Sequence, residues 1–279
     1  MHKQITIVIP CFNQGHFLKD ALDSISQCNA DLYDVIIVND GSTDTNTLKI
    51  LNDLVDKGYH VVFQQNKGLG IARNTGIELA QTKYILPLDA DNKITPQFLI
   101  KALDIFNTNH TVAVVYGNAK LFGDKSGISI PGAFNLQKLM LGNYIDACAV
   151  IKKSVLVEVG MYDSMKIMGY EDWDLWLRIA FAGHTFFYLN EVVFEYRVTS
   201  NSMMKSVNES IERQNQIEDY FTTKYADKLD FELVLNRMLY QFKSKPLQLF
   251  TYLFLRKYFP VYFNKCIEKH KIRKNFIYD

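Results

Sequence analysis

The chain has 279 residues, 48% hydrophobic and 22% charged, enough to bury the core of one large α/β domain or of a domain with an appendage. Its formal charge is +1, so composition implies no polyelectrolyte partner such as nucleic acid. Four scattered cysteines, Cys11, Cys28, Cys148 and Cys266, show no CxxC or Cys/His spacing, which argues against a zinc site or a disulfide framework and fits a reducing compartment.

The opening "MHKQITIVIP" runs directly into a β-branched segment, too short and too strand-like for the apolar region of a signal peptide. Strands are expected over 5–9 (ITIVI), 34–38 (DVIIV), 60–64 (HVVFQ), 83–88 (KYILPL) and 112–117 (VAVVYG). Helices are expected between them over 16–26, 47–58, 70–81 and 96–107. Gly58 closes the second, and a proline stands in the first turn of the fourth. Such alternation implies right-handed βαβ crossovers and a mostly parallel sheet with helices on both faces. In open sheets of this kind ligands bind outside the carboxyl ends of the strands. Four of those ends carry polar segments that should share one rim: "PCFNQG", "NDGSTD", "QNKGLG" and "DADN".

After Gly117 the alternation weakens. Residues 121–132 read as a loop or hairpin, and 146–160 as a strand followed by a short helix capped at Ser154. A clear helix over 169–183 ends at Gly183, and two strand-like runs follow at 185–189 and 192–197. Beyond Met203 the chain reads as helical, which divides it into residues 1–204 and a helical region 205–279. From Gln241 to Asp279 nine Lys/Arg stand against two acids, a local charge of +7, interleaved with aromatics over 236–276. Such helices can lie on an anionic membrane surface or pack on protein. The most apolar stretch, 247–263, is broken by Arg256, Lys257 and Pro260 and falls short of the ~18–20 apolar residues of a span. The expected location is cytoplasmic, with peripheral contact at the inner membrane face as a further option.

Two acidic constellations carry the chemistry. In "YILPLDADN" (84–92) a strand ends in Asp89 and Asp91, one residue apart. They can be simple turn formers. They can also face one point beyond the sheet edge, where Mg²⁺ or Mn²⁺ with a phosphate would relieve their repulsion. The position at the fourth of four polar strand ends favours the second reading. In "YEDWDLWLR" (170–178) Glu171, Asp172 and Asp174 occupy a helix's first turn, where the macrodipole stabilises acids. Equally, Asp172 beside Trp173 and Trp176 can be a general base at the mouth of an acceptor pocket walled by those rings. In "NKGLGIARN" the glycines let backbone N–H groups approach an anion, with Lys67 and Arg73 adding positive charge. A plain helix cap is the alternative for Lys67. The segment is neither a Walker A loop nor a dinucleotide fingerprint.

"TIVIPCFNQG", "VIIVNDGSTD", "NKGLGIARNTGI", "YILPLDADN" and "GYEDWDLWLRIA", in this order, resemble the inverting glycosyltransferase family 2 with its GT-A fold, over roughly residues 3–200. The resemblance implies that Pro10, Phe12 and Asp40 line the nucleotide pocket, with Asp40 reading the base and Arg73 near base and diphosphate. Asp89 would meet the ribose, and Asp91 the Mn²⁺ or Mg²⁺ on the diphosphate; Asp89 is also a candidate metal ligand, and Ala90 between them belongs to the nucleotide-sugar site. Asp172 resembles the catalytic base, with Glu171 orienting the acceptor. Many family members carry a histidine two residues after the arginine of a late "YR" pair as a further metal ligand. Here Thr199 stands there, a poor ligand that implies weak metal affinity. The implied activity is transfer of a hexose-type sugar from a nucleotide-sugar, most plausibly a UDP-sugar, to a saccharide or lipid-linked acceptor in cell-surface polysaccharide synthesis. A sugar-nucleotidyltransferase and a non-catalytic nucleotide-sugar-binding module are the alternatives.

Overall fold

The computed structural model describes residues 3–165, 169–199, 211–228, 239–240, 243–244, 246–259 and 262. It divides into two compact units, one of Met1–Leu136 with Asn143–Ser202, the other of Gln137–Gly142 with Met203–Asp279.

The first unit is built on a mixed sheet. Its strands are β1 (Ile5–Cys11), β2 (Tyr33–Asp40), β3 (His60–Gln64), β4 (Tyr84–Pro87), β5 (Lys93–Ile94), β6 (Val112–Gly123), β7 (Gly127–Ser129), β8 (Val150–Lys152) and β9 (Thr185–Val198). The order is β3-β2-β1-β4-β8-β6-β9-β5, with β7 hairpinned onto β6. β1 is buried along its whole length because β2 and β4 flank it in parallel and helices cover it, which is why its sequence is continuously apolar rather than alternating.

The helices follow from their spacing. In α1 (Gly15–Ser26) Leu18, Ala21, Leu22 and Ile25 face the core. The α2 helix (Thr45–Asp56) starts at Asp44, whose carboxylate accepts from the Thr47 N–H at 2.7 Å. The α3 helix (Leu69–Leu79) lies so close to β1 that a Cβ on Gly76 would stand 2.3 Å from Val8 Cγ1. The α4 helix (Phe98–Thr108) starts two residues after Pro96, which sits in the preceding turn rather than in the helix. Then come α5 (Leu136–Leu141), α6 (Lys153–Glu158) and α7 (Glu171–Phe181).

β8, the strand expected within 146–160, inserts antiparallel between β4 and β6. Two expectations are corrected. α6 is capped at Lys152, with Ser154 inside the helix. The runs at 185–189 and 192–197 form one strand, β9, in which Asn190 and Glu191 interrupt the register against β6 between Leu189 and Val192.

The second unit contains α8 (Ile211–Lys224) and α9 (Pro246–Tyr258), together with residues 137–142. On α9 Leu247, Phe250, Phe254 and Tyr258 are exposed, and the Phe250 and Phe254 rings stack at 5.8 Å. Of the basic, aromatic-rich end at 236–276, only 239–240, 243–244, 246–259 and 262 are among the described residues. Among the described residues no helix is long and apolar enough to cross a membrane.

Candidate active site

The carboxyl ends of β1, β2, β3 and β4 share one edge because the four strands are parallel and in register. Pro10 is buried in β1, and Phe12, just beyond it, is exposed. Asn13 adopts the left-handed conformation (φ 56°), and its Oδ1 accepts from the N–H groups of Thr43 and Asp44 at 2.8 and 2.9 Å. This ties the loop after β1 to the loop after β2. Asp40, at the end of β2, is buried, and its carboxylate accepts from Gln64 Nε2 at 2.7 Å and from the Lys67 and Gly68 N–H groups at 2.9 Å each. The backbone donors at the start of α3 thus hold the protein's own carboxylate, while the Lys67 side chain is exposed.

Arg73 is the electrostatic centre. It lies on α3, 2% exposed, with Nη2 on Asp89 Oδ1 at 2.7 Å and Nη1 on Glu171 Oε1 at 3.1 Å. Its guanidinium stands 5.3 Å from the centroid of the Tyr162 ring, and its Nε and the Tyr162 hydroxyl are buried without a hydrogen-bond partner among the described residues. Asp89 and Glu171, 82 residues apart in sequence, are therefore joined through one cation.

The segment 89–92 is not extended. The Asn92 N–H donates to the Asp89 carbonyl at 3.0 Å, closing a turn with buried Ala90 and half-buried Asp91 at its centre. The alternation argument for Asp89 and Asp91 fails locally for this reason, yet the two charges still act on each other. Burial, then the charge of Asp89, push the Asp91 carboxyl up to about 6. Asp91 forms no ion pair among the described residues, whereas Asp89 has Arg73. Arg197 of β9 braces the turn: its N–H donates to Asn92 Oδ1 at 3.0 Å, its Nε to the Asp91 carbonyl at 3.1 Å, and its Nη2 to Asp20 at 2.5 Å. The Phe17 and Phe122 rings lie 4.6 and 4.4 Å from its guanidinium carbon.

α7 brings up the second acidic group. Glu171 is buried and has both oxygens engaged, one by Arg73 and the other by the Gly169 N–H at 2.7 Å, so it tethers α7 to α3. Asp172 is half-buried. Its Oδ1 accepts from the Trp173 N–H and its Oδ2 from Asn143 Nδ2, both at 2.8 Å. Burial and the charge of Glu171 raise its pKa well above the usual carboxylate range, against the opposing effects of Arg73 and Asn143. Asp174 turns the other way, fully buried against Arg178 Nε at 2.8 Å. Trp173 is half-buried, its ring 5.9 Å from that of Tyr170. Trp176 is wholly buried, and its indole donates to the Ile145 carbonyl at 3.0 Å. It packs beneath the site and does not wall an open acceptor pocket, which corrects its assignment.

Two side chains in the loop before β8 escaped the sequence reading. Asn143 meets Asp172 as described. Asp146 accepts from the Cys148 N–H at 2.8 Å, and burial together with Asp89 pushes its carboxyl up to about 6. The only sequence signal for either is a polar residue placed just ahead of an apolar strand in "GNYIDACAV".

Asp91, which forms no ion pair among the described residues, is the acid of this rim with an oxygen to offer a divalent cation. Thr199 lies one residue past the end of β9. Among the described residues no three His, Cys, Asp or Glu side chains gather as a metal site.

Comparison with known proteins follows the same lines. The family model described as "Glycosyl transferase family 2" matches residues 6–160. The putative teichuronic acid biosynthesis glycosyltransferase TuaG of Bacillus subtilis is 26% identical over 206 residues, 71% of this chain and 81% of TuaG. The poly-beta-1,6-N-acetyl-D-glucosamine synthase of Staphylococcus aureus is 28% identical over 62% of this chain, which spans about half (46%) of that synthase's length. In structure, S. aureus TarS (residues 1–349) in complex with UDP-GlcNAc superposes with a TM-score of 0.61 at 17% identity, over 73% of this chain and 61% of that one. The Pyrobaculum calidifontis mannosyltransferase PcManGT, in complex with GDP-Man and Mn²⁺, gives 0.61 at 18% identity, over 82% and 66%. The fold is thus the GT-A type, a curled mixed sheet with flanking helices. With the family model covering more than half of its length, the chain belongs to glycosyltransferase family 2.

Proposed function

We propose that this protein is an inverting glycosyltransferase that moves a sugar from a nucleotide-sugar, a UDP-sugar first among candidates, to a hydroxyl of a saccharide or lipid-linked acceptor in cell-surface polysaccharide synthesis. The observation that carries this reading is the Arg73 bridge, which places the turn of Asp89 and Asp91 and the first turn of α7 around one buried cation. The chemistry then divides between the two acidic groups. Asp172 accepts the proton of the acceptor hydroxyl, whose oxygen forms a bond to the anomeric carbon. The bond from that carbon to the diphosphate oxygen breaks in line, and its electron pair leaves with the nucleotide. Asp91 would hold a divalent cation, which would supply positive charge to offset that of the departing diphosphate. Asp40, Phe12 and Lys67 border the nucleotide, and Trp173 the acceptor. The UDP-GlcNAc and GDP-Man complexes of the structural neighbours support a nucleotide-sugar donor.

The test is nucleotide release from UDP-GlcNAc, UDP-glucose and GDP-mannose with Mn²⁺, in the wild-type chain and in Asp172→Asn. The variant should lose about 100-fold or more in turnover while binding donor as before. Full turnover in the variant excludes Asp172 as the base. Donor binding without turnover in the wild type selects the non-catalytic module instead.

The exposed aromatic residues of α9, with the +7 charge of residues 241–279, support peripheral contact with an anionic membrane. Liposomes containing phosphatidylglycerol should pellet the full chain at low salt, and should pellet Phe250→Glu/Phe254→Glu much less. Equal pelleting would remove the membrane reading.

A further inference from the structure

We propose that Asn143 is a positioning residue for Asp172, a role that rests on reading Asp172 as the base. The amide is oriented rather than free: its Oδ1 accepts from the Ile145 N–H at 3.3 Å, so its Nδ2 is the group that meets Asp172 Oδ2 at 2.8 Å. With the Trp173 N–H on Oδ1, both oxygens of Asp172 are held and the carboxylate plane is fixed, while each oxygen keeps a second lone pair.

The surroundings explain why a neutral donor stands there. Asp172 feels Glu171 on its own helix and Asp146 from the loop before β8, both of which oppose its ionisation. Arg73 on α3 favours ionisation, but its guanidinium already serves Asp89 and Glu171. Tyr162 from the loop after α6, Tyr170 at the start of α7 and Tyr196 of β9 also sense the charge of Asp172 among the described residues. A lysine at position 143 would pair with the carboxylate and weaken it as a base. An amide donates one hydrogen bond to the ionised form, adds no charge, and leaves the oxygen basic enough to take a proton.

The discriminating substitution is Asn143→Asp. It is nearly isosteric and keeps an oxygen to accept from the Ile145 N–H, so a purely structural role in the loop survives. It replaces the donor by a second carboxylate facing Asp172. Asn143→Ala removes both contacts. The assay is nucleotide release by the full chain with Mn²⁺, using whichever of UDP-GlcNAc, UDP-glucose and GDP-mannose the wild type turns over, read as kcat, KM and the pH profile of kcat/KM.

In Asn143→Asp, kcat should fall about 10- to 100-fold with donor KM within about 2-fold, the size expected for losing a hydrogen bond to a charged group. The acid limb of the profile should move to higher pH, because the remaining groups disfavour the ionised base. In Asn143→Ala the same limb should move in the same direction by less. Wild-type kcat and an unmoved limb in Asn143→Asp, with Asp172→Asn inactive, would overturn this inference alone. An active Asp172→Asn, or a wild type that releases nucleotide from none of the three donors, would overturn the proposed function and this inference with it.

Discussion

Replacing Arg73 with methionine tests how the site is held together. The guanidinium is 2% exposed and lies between Asp89 at 2.7 Å and Glu171 at 3.1 Å. Methionine fills a similar volume, so the loss is mainly of charge. The Glu171 side chain, 6% exposed, would keep only the Gly169 N–H, while Asp89, 31% exposed, would be relieved in part by water. Breaking a buried pair by removing one partner costs about 3–5 kcal/mol. For a domain of this size that is a fall in Tm of about 6–20 °C. Urea unfolding of the full chain provides the assay, followed by tryptophan fluorescence, because both tryptophans, Trp173 and Trp176, lie on α7. Adding Glu171→Gln to Arg73→Met should restore part of the loss, since a carboxamide needs no cation, with a coupling energy of about 0.5–3 kcal/mol. A loss under about 1 kcal/mol, or strict additivity of the two substitutions, would refute the bridge as the link between α3 and α7.

Two further outcomes concern residues around the rim. The Asp146 carboxyl is raised from 3.8 to about 6, so the folded state holds a proton that the unfolded chain releases. Its contribution to stability is therefore full below pH 3.8 and is lost as pH rises to about 6. Asp146→Asn should match the wild type in urea at pH 3.5 and exceed it at pH 8 by up to about 3 kcal/mol; equal midpoints at pH 8 would contradict the burial argument. Gly41 has φ +70°, and a Cβ there would stand 2.5 Å from the Asn66 backbone nitrogen. Gly41→Ala should cost about 1–3 kcal/mol by thermal melting and displace the Lys67–Gly68 turn from Asp40. An unchanged Tm would show that the loop yields.

The sequence made the first half of the fold legible because its central strands, β1 and β4, are buried on both faces and its helices on one. Continuous runs such as "ITIVI" and stripes such as Leu18–Leu22–Ile25 have no competing explanation. Legibility ended where short strands depend on their neighbours. The three residues of β8 show no periodicity, and their place between β4 and β6 is set by packing. The bulge at Asn190–Glu191 likewise looks in sequence like a break between two strands. At the site, the sequence pointed to Asp89, Asp91, Glu171 and Asp172 as acids but could not show which cation answers which. Asp89 is answered by Arg73, 16 residues away, and Asp91 by nothing charged that pairs with it among the described residues. Trp176 was misplaced because one helical turn presents two faces. It follows Leu175 and precedes Ile179 on the face turned inward, and its indole finds the Ile145 carbonyl there. Asn143 and Asp146 come from a loop whose approach to α7 has no local sequence cause.

The most direct test of the account is a crystal structure with a UDP-sugar and Mn²⁺ bound. The nucleotide should lie along the carboxyl edge of β1 to β4, with the diphosphate and cation at Asp91 and the anomeric carbon on the side of Asp172. A nucleotide bound elsewhere, with Asp91 only closing its turn and Asp172 remote from the sugar, would contradict it.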